Sequence, residues 1–202
     1  MRALIVVTSL LLAGCASMSG APSADNTARA ELKNGTGQAV GTATFTQVGN
    51  VVRVVVETQG LPRGAHGVHV HAVGKCDGPD FTTAGSHFNP VNRQHGALNP
   101  QGAHAGDLPN LEVGGDGKGR LESTTELLSL GSGTTSIFDA DGSAIVIHAA
   151  PDDFKTDPTG NSGAPRPALR VASRLPASLS AARLSTSQFA TPPSPQRHQL
   201  SQ

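Results

Sequence analysis

The chain has 202 residues, 37% of them hydrophobic and 15% charged, which suits one modest core and leaves too little for two full domains. Formal charge is zero, there is no basic run, and six Phe stand beside no Trp or Tyr, so a nucleic-acid partner would find neither phosphate neutralisation nor base stacking. Twenty-four Gly and fourteen Pro fit frequent turns between short strands better than long surface helices, and an all-β fold is expected.

Arg2 followed by the apolar run Ala3 to Leu12 reads as an export signal and is too short to span a bilayer. The next residues, Leu12-Ala13-Gly14-Cys15, resemble the lipobox of bacterial lipoproteins. That resemblance implies cleavage before Cys15, acylation of its thiol, and a protein of the bacterial cell envelope, periplasmic or anchored to the outer membrane. Residues 16–34 are rich in Ser, Ala, Asn and Gly with little apolar periodicity, as expected of a tether without fold. The expected organisation is a signal peptide at 1–14, a tether at 15–35, a domain at 36–170 and a divergent, disordered tail at 171–202.

From Gly37 to Thr58, two β-branched runs joined by Val48-Gly49-Asn50 predict a hairpin. Gly67-Val68-His69-Val70-His71 and Ala144-Ile145-Val146-Ile147-His148 are further period-2 stretches. A strand is expected from Gly117 into TTELLSL, and a turn at Asp139-Ala140-Asp141-Gly142. Strands without intervening helical patterns predict an antiparallel sandwich or barrel. Between Ala72 and Asp107 there is Gly, Pro, Asn and His but no sustained period, and a loop of that length needs an external source of order such as bound metal.

Six of the eight histidines fall in these strands and this loop. His69 and His71 lie two apart on a strand, so both imidazoles leave one face while Val68 and Val70 turn to the other. The loop adds His87, His95, His104 and Asp107, and a later strand adds His148. These seven donors exceed one site. Three His and one Asp suit tetrahedral zinc, an all-imidazole redox site suits copper, and one ligand shared between two metals is the economical division. His66 is an odd number of residues from His69, so it is expected to face away in a structural role, and His198 is expected to be an exposed bystander. Gly64, Gly67, Gly85 and Gly96 are read as structural.

The segments GAHGVHVH (64–71), AGSHFNP (84–90), RQHG (93–96), HAGDL (104–108), VIHAAPDDF (146–154) and TGNSGA (159–164) occur in the order found in the Cu,Zn superoxide dismutases, which the chain resembles over roughly 36–166. The resemblance implies an antiparallel Greek-key β-barrel or sandwich, immunoglobulin-like, with long metal-binding loops. It implies copper on His69, His71, His87 and His148, and zinc on His87, His95, His104 and Asp107, with His87 bridging. Asp152 is implied as the carboxylate behind the ligands that orients one copper and one zinc imidazole, and His66 as a tie between main-chain segments. The implied activity is disproportionation of superoxide, with His87 and an anion-guiding Arg166 as catalytic residues and Lys155 as a further source of positive charge. A copper- and zinc-binding protein without efficient turnover is the alternative. Assembly, as monomer or homodimer, stays open.

The resemblance breaks down near its end. Relatives follow the GNSGA-like segment with an arginine and, three residues on, a cysteine that pairs with a loop cysteine. Here Pro165 stands before Arg166, and Leu169 falls where the cysteine would be, leaving Cys76 without a partner and open to thiol reagents. The tail lacks the closing Gly-Val strand, although 168–172 could still pair as an edge. The abrupt change suggests a reading-frame shift near codon 165.

Overall fold

A computed structural model describes residues 26–163 and the backbone of 171–174. The export signal, Cys15, Arg166, Leu169 and His198 lie outside the described residues. Eight antiparallel strands form a closed barrel: β1 (Thr27–Lys33), β2 (Ala39–Val48), β3 (Val51–Thr58), β4 (Gly64–His71), β5 (Asp107–Val113), β6 (Gly119–Thr125), β7 (Ala144–Ile147) and β8 (Val171–Arg174). Their order around the wall, β1-β2-β3-β6-β5-β4-β7-β8, is a Greek key and fulfils the all-β expectation.

Alternation builds the wall. Val52, Val54 and Val56 of β3 are fully buried while Arg53 and Glu57 face water, and Ala43 and Phe45 of β2 join them inside. The β2–β3 hairpin closes at Val48↔Val51 around Gly49, whose φ of 63° lies in the left-handed region. β4 and β7 are buried on both faces. Val68, Val70, Ile145 and Ile147 belong to the barrel core, whereas Ala144 and Val146 meet Phe81 and Ala84 of the long loop on the outer side. That loop, 72–106, is anchored to the wall by Phe88, which inserts into the core, and it contains only a short 3-10 turn at Thr82–Ala84.

Three expectations are corrected. The stretch expected to be an unfolded tether contains β1, whose Ala28, Ala30 and Leu32 point inward and which pairs with β2 along its length. Alanine is too weakly apolar for that period to stand out. Residues 171–174 form β8, not tail: it pairs with β7 from Ala144↔Arg174 to Ile147↔Val171 and touches β1 at Lys33↔Ala172, so it closes the barrel and is not an edge. Main-chain pairing does not require the missing Gly-Val pattern. The strand begun near Gly117 stops at Thr125, and Leu128 then plugs the core beside Ile137.

Cys76 is unpaired among the described residues. It packs against the Phe81 and Val146 cluster, and burial together with Asp77 pushes its thiol up to about 12. Burial thus disfavours the thiolate, the form that reacts with thiol reagents.

Candidate metal centre

The pleat of β4 carries His69 and His71 out of the barrel on the face opposite Val68 and Val70. Both are buried there under the loops 72–106 and 148–163. His148 follows β7, its N–H bonded to the Gly67 carbonyl at 2.8 Å. His87 is brought in by a one-residue bridge to His71, with Phe88 N–H on the Val70 carbonyl at 2.8 Å. The donor atoms of His69, His71, His87 and His148 lie within 4.8 Å of one another, as do those of His69, His87, His95 and Asp107.

His104 completes the second group. Asp107 Oδ1 lies 3.1 Å from His87 Nδ1, 3.1 Å from His95 Nδ1 and 3.4 Å from His104 Nδ1, so three imidazoles converge on one carboxylate oxygen. Asp107 Oδ2 is held in turn by the main-chain N–H groups of Gly96 (2.9 Å) and His104 (3.0 Å). His69 reaches this group through Asp152. That buried carboxylate accepts from His69 Nε2 at 2.7 Å and from His95 Nε2 at 3.0 Å. His71 donates its Nδ1–H to the Gly85 carbonyl at 2.8 Å. Every outer nitrogen so occupied leaves the inner one for a cation.

The donor set fits metal on a direct observation. His69 Nδ1 and His87 Nε2 are buried without a hydrogen-bond partner, and His95 Nδ1, though 3.1 Å from Asp107 Oδ1, is not aligned for a hydrogen bond. Each such group costs about 1–3 kcal/mol unless something satisfies it. Protons cannot satisfy them all, because burial lowers His69 to about 4 despite Asp152 and also lowers His87. His95 differs: burial opposes its charge, but Asp107 and Asp152 outweigh that and raise it to about 9. Asp107 and Asp152, though desolvated, are held well below the usual carboxylate range by their histidine partners. The cluster sets imidazoles, His69 and His87 among them held neutral by burial, around ionised carboxylates, with nitrogen donors for copper and a mixed nitrogen and oxygen set for zinc.

Against this geometry the comparisons with known proteins are decisive. The family description "Copper/zinc superoxide dismutase (SODC)" matches residues 39–169. The chain belongs to the copper/zinc superoxide dismutase family. Superoxide dismutase [Cu-Zn] 1 of Aquifex aeolicus is 42% identical over 136 residues, covering 66% of this chain and 80% of that protein. The superoxide dismutase [Cu-Zn] of Caulobacter vibrioides is 42% identical over 140 residues, covering 68% and 80%. The crystal structure of a SOD-like protein from Bacillus subtilis superposes with a TM-score of 0.65 at 41% identity, over 71% of this chain and 94% of that one. The chain is thus an oxidoreductase of this family, with copper and zinc as its cofactors.

His66 is structural, as its spacing predicted: its two ring nitrogens lie 3.0 Å from the carbonyls of His148 and Pro62. Several residues of the centre escaped sequence reasoning. Asn110 of β5 clamps the main chain of Asp152, accepting its N–H at 2.9 Å and donating to its carbonyl at 3.0 Å. Gly160 packs so closely that a methyl group there would overlap Asp152 Oδ1 and press on His95. Gly67, already read as structural, sits at the bulge between His66 and Val68 and leaves room for Ser162. No local pattern marks Asn110, while Gly160 stood inside the quoted TGNSGA segment and needed only a reason for its glycine.

Proposed function

We propose that the chain disproportionates superoxide, converting two superoxide anions and two protons to one oxygen and one hydrogen peroxide. In this reading His69, His71, His87 and His148 hold copper, and His87, His95, His104 and Asp107 hold zinc in a structural role. Copper held by these histidines would supply one-electron exchange between one superoxide and the next. The observation that carries the reading is the divided character of His87. Its Nδ1 is drawn to Asp107 and His104, while the buried Nε2 has no hydrogen-bond partner and is left to the group with His69, His71 and His148. One imidazole thereby serves two sites, which simple storage of metal does not need. With copper held there, His87 Nε2 would be placed to carry a proton to the product beside the metal. Asp152 keeps the His69 and His95 rings oriented meanwhile.

The substrate is a small anion, so positive charge near the copper side raises its encounter rate, as the superoxide dismutases illustrate in general. The candidates in this chain are Lys155, which is exposed, and Arg166, which lies outside the described residues. The SOD-like name of the Bacillus subtilis relative favours a second reading, metal binding without efficient turnover. Metal stoichiometry and superoxide consumption of the full chain separate the two: one copper and one zinc with rapid consumption support the dismutase, and full loading with background consumption supports the second reading.

The lipobox at 12–15 supports an envelope lipoprotein held to the membrane by an acylated Cys15. Cys15→Ser is expected to release the protein from membranes with unchanged activity, and membrane association that persists defeats this reading. The family match ends at residue 169, in keeping with a divergent tail. Reading the coding DNA in the other two frames after codon 164, for an Arg-x-Ala-Cys-Gly sequence, tests whether a frameshift produced it.

A further inference from the structure

A ligating imidazole works best when its outer N–H has an acceptor, because the acceptor fixes the tautomer and raises the basicity of the inner nitrogen. His69 and His95 have Asp152 for this purpose, and His71 has the Gly85 carbonyl. His104 turns Nδ1 inward, 3.4 Å from Asp107 and 3.5 Å from His87 Nδ1, so its Nε2 points outward. Facing that nitrogen at 3.8 Å is Oδ1 of Asp157. The same oxygen accepts the main-chain N–H of His95 at 2.6 Å. A single carboxylate oxygen from the 148–163 loop therefore touches two of the zinc donors, one by its main chain and the other by its ring.

We infer that Asp157 is a positioning residue of the zinc half, an outer carboxylate that fixes His95 by its main chain, orients His104 through Nε2–H, and so sets zinc affinity. The inference rests on the zinc reading given above. At 3.8 Å the contact with His104 is an attraction of charge for a polarised N–H, not a hydrogen bond. A cation on Nδ1 makes Nε2–H more acidic and strengthens that attraction, so Asp157 favours the metal-bound form over the metal-free one. This distinguishes it from Asp153, four residues earlier on the same loop. Asp153 accepts from Lys155 N–H, Thr156 N–H, Thr156 Oγ1 and Asn161 Nδ2, and so folds the loop on itself.

The test compares the full chain with Asp157→Asn, Asp157→Ala and Asp153→Asn, each stripped of metal. Asparagine can still accept the His95 N–H, so Asp157→Asn isolates the charge that faces His104. Zinc affinity is read by competition with a chromogenic chelator, the geometry of the zinc position by the visible absorption of cobalt(II) bound there, and integrity of the domain by melting of the metal-free protein. Asp157→Asn is expected to lower zinc affinity about 10–100-fold and to shift the cobalt bands with metal-free melting unchanged, while Asp157→Ala, which also loses the bond to His95 N–H, is at least as damaging to zinc affinity and melts lower. Asp153→Asn is expected to keep zinc affinity within about threefold of the parent chain. Parental zinc affinity and cobalt bands in Asp157→Asn, or an equal zinc loss in Asp153→Asn, would overturn the inference alone. A parent chain that takes up neither zinc nor cobalt would overturn the zinc reading and this inference together.

Discussion

His69 and His71 leave one face of β4 and His148 follows β7, so three of the four donors on the copper side are carried by the hydrogen-bonded wall of the barrel. On the zinc side, His87, His95 and His104 sit on the loop 72–106, and Asp107 is only the first residue of β5. The wall aims its imidazoles by pleat and holds them by the burial of Val68, Val70, Ile145 and Ile147 on the opposite face. The loop is pinned to the wall at Phe88 and at Phe81 and Ala84, but its histidines stand on no strand and are aimed by polar cross-links: Asp107 to Gly96 and His104, Asp157 to His95, and Asn110 through Asp152. Direction given by packing survives loss of the metal. Direction given by charge depends on what the charges bind.

That contrast is broken most sharply by deleting one donor from each half. His148→Ala is expected to reduce superoxide consumption to background while zinc stays bound, and equal loss of both metals would refute the division. Asp107→Ala is expected to abolish zinc binding and remove about 3–5 kcal/mol from the zinc-loaded protein, since it leaves three imidazoles facing no carboxylate. Hydrogen exchange should then rise across 72–106 and not along β4.

A smaller perturbation acts on the joint between the halves. In Gly160→Ala, at a backbone position with φ of 62°, the added methyl displaces Asp152, at a cost of about 1–3 kcal/mol. Because Asp152 holds His69 and His95 alike, copper and zinc affinity should fall together, as two titrations on the same preparation would show. A loss confined to one metal would mean that the halves are independent.

The gentlest probe is pH on the metal-free protein. His69 is lowered from 6.5 to about 4, so its contribution is present above pH 6.5 and is lost as pH falls through about 4. His95 is raised from 6.5 to about 9, so its contribution is complete below pH 6.5 and is lost as pH rises through about 9. The copper side thus weakens towards acid and the zinc side towards base, and thermal melting should peak near pH 6.5. Zinc uptake between these limits should release a proton from His95, measurable by calorimetry in buffers of different ionisation enthalpy.

What could be read from the sequence follows the same divide. The valines of β3 and the His69–His71 pair obey a period of two, so the wall and the direction of two donors were legible. β1 has the same period but writes it in Ala28 and Ala30, too faintly to separate it from a tether. The loop donors were legible as residue types whose grouping came from resemblance, not spacing. Asn110 and Asp157 were not legible at all, because each acts on a segment 42 or 62 residues away in the chain that only the folded loops bring near.

β4 has a consequence for how such a protein can change over generations. Its even positions hold Val68 and Val70 in the core, and its odd positions hold His69 and His71 in the metal centre. Inserting or deleting one codon within this strand would exchange the two sets, driving imidazoles into oil and valines onto the metals. Point replacements can be tried here one at a time, but a change of length needs a new bulge placed between the donors and the strand end to restore their faces. This stretch is therefore expected to be free of insertions and deletions across descendants of the gene, while the turn at Gly49 and Asn50, which spaces nothing but its own hairpin, is free to grow or shrink.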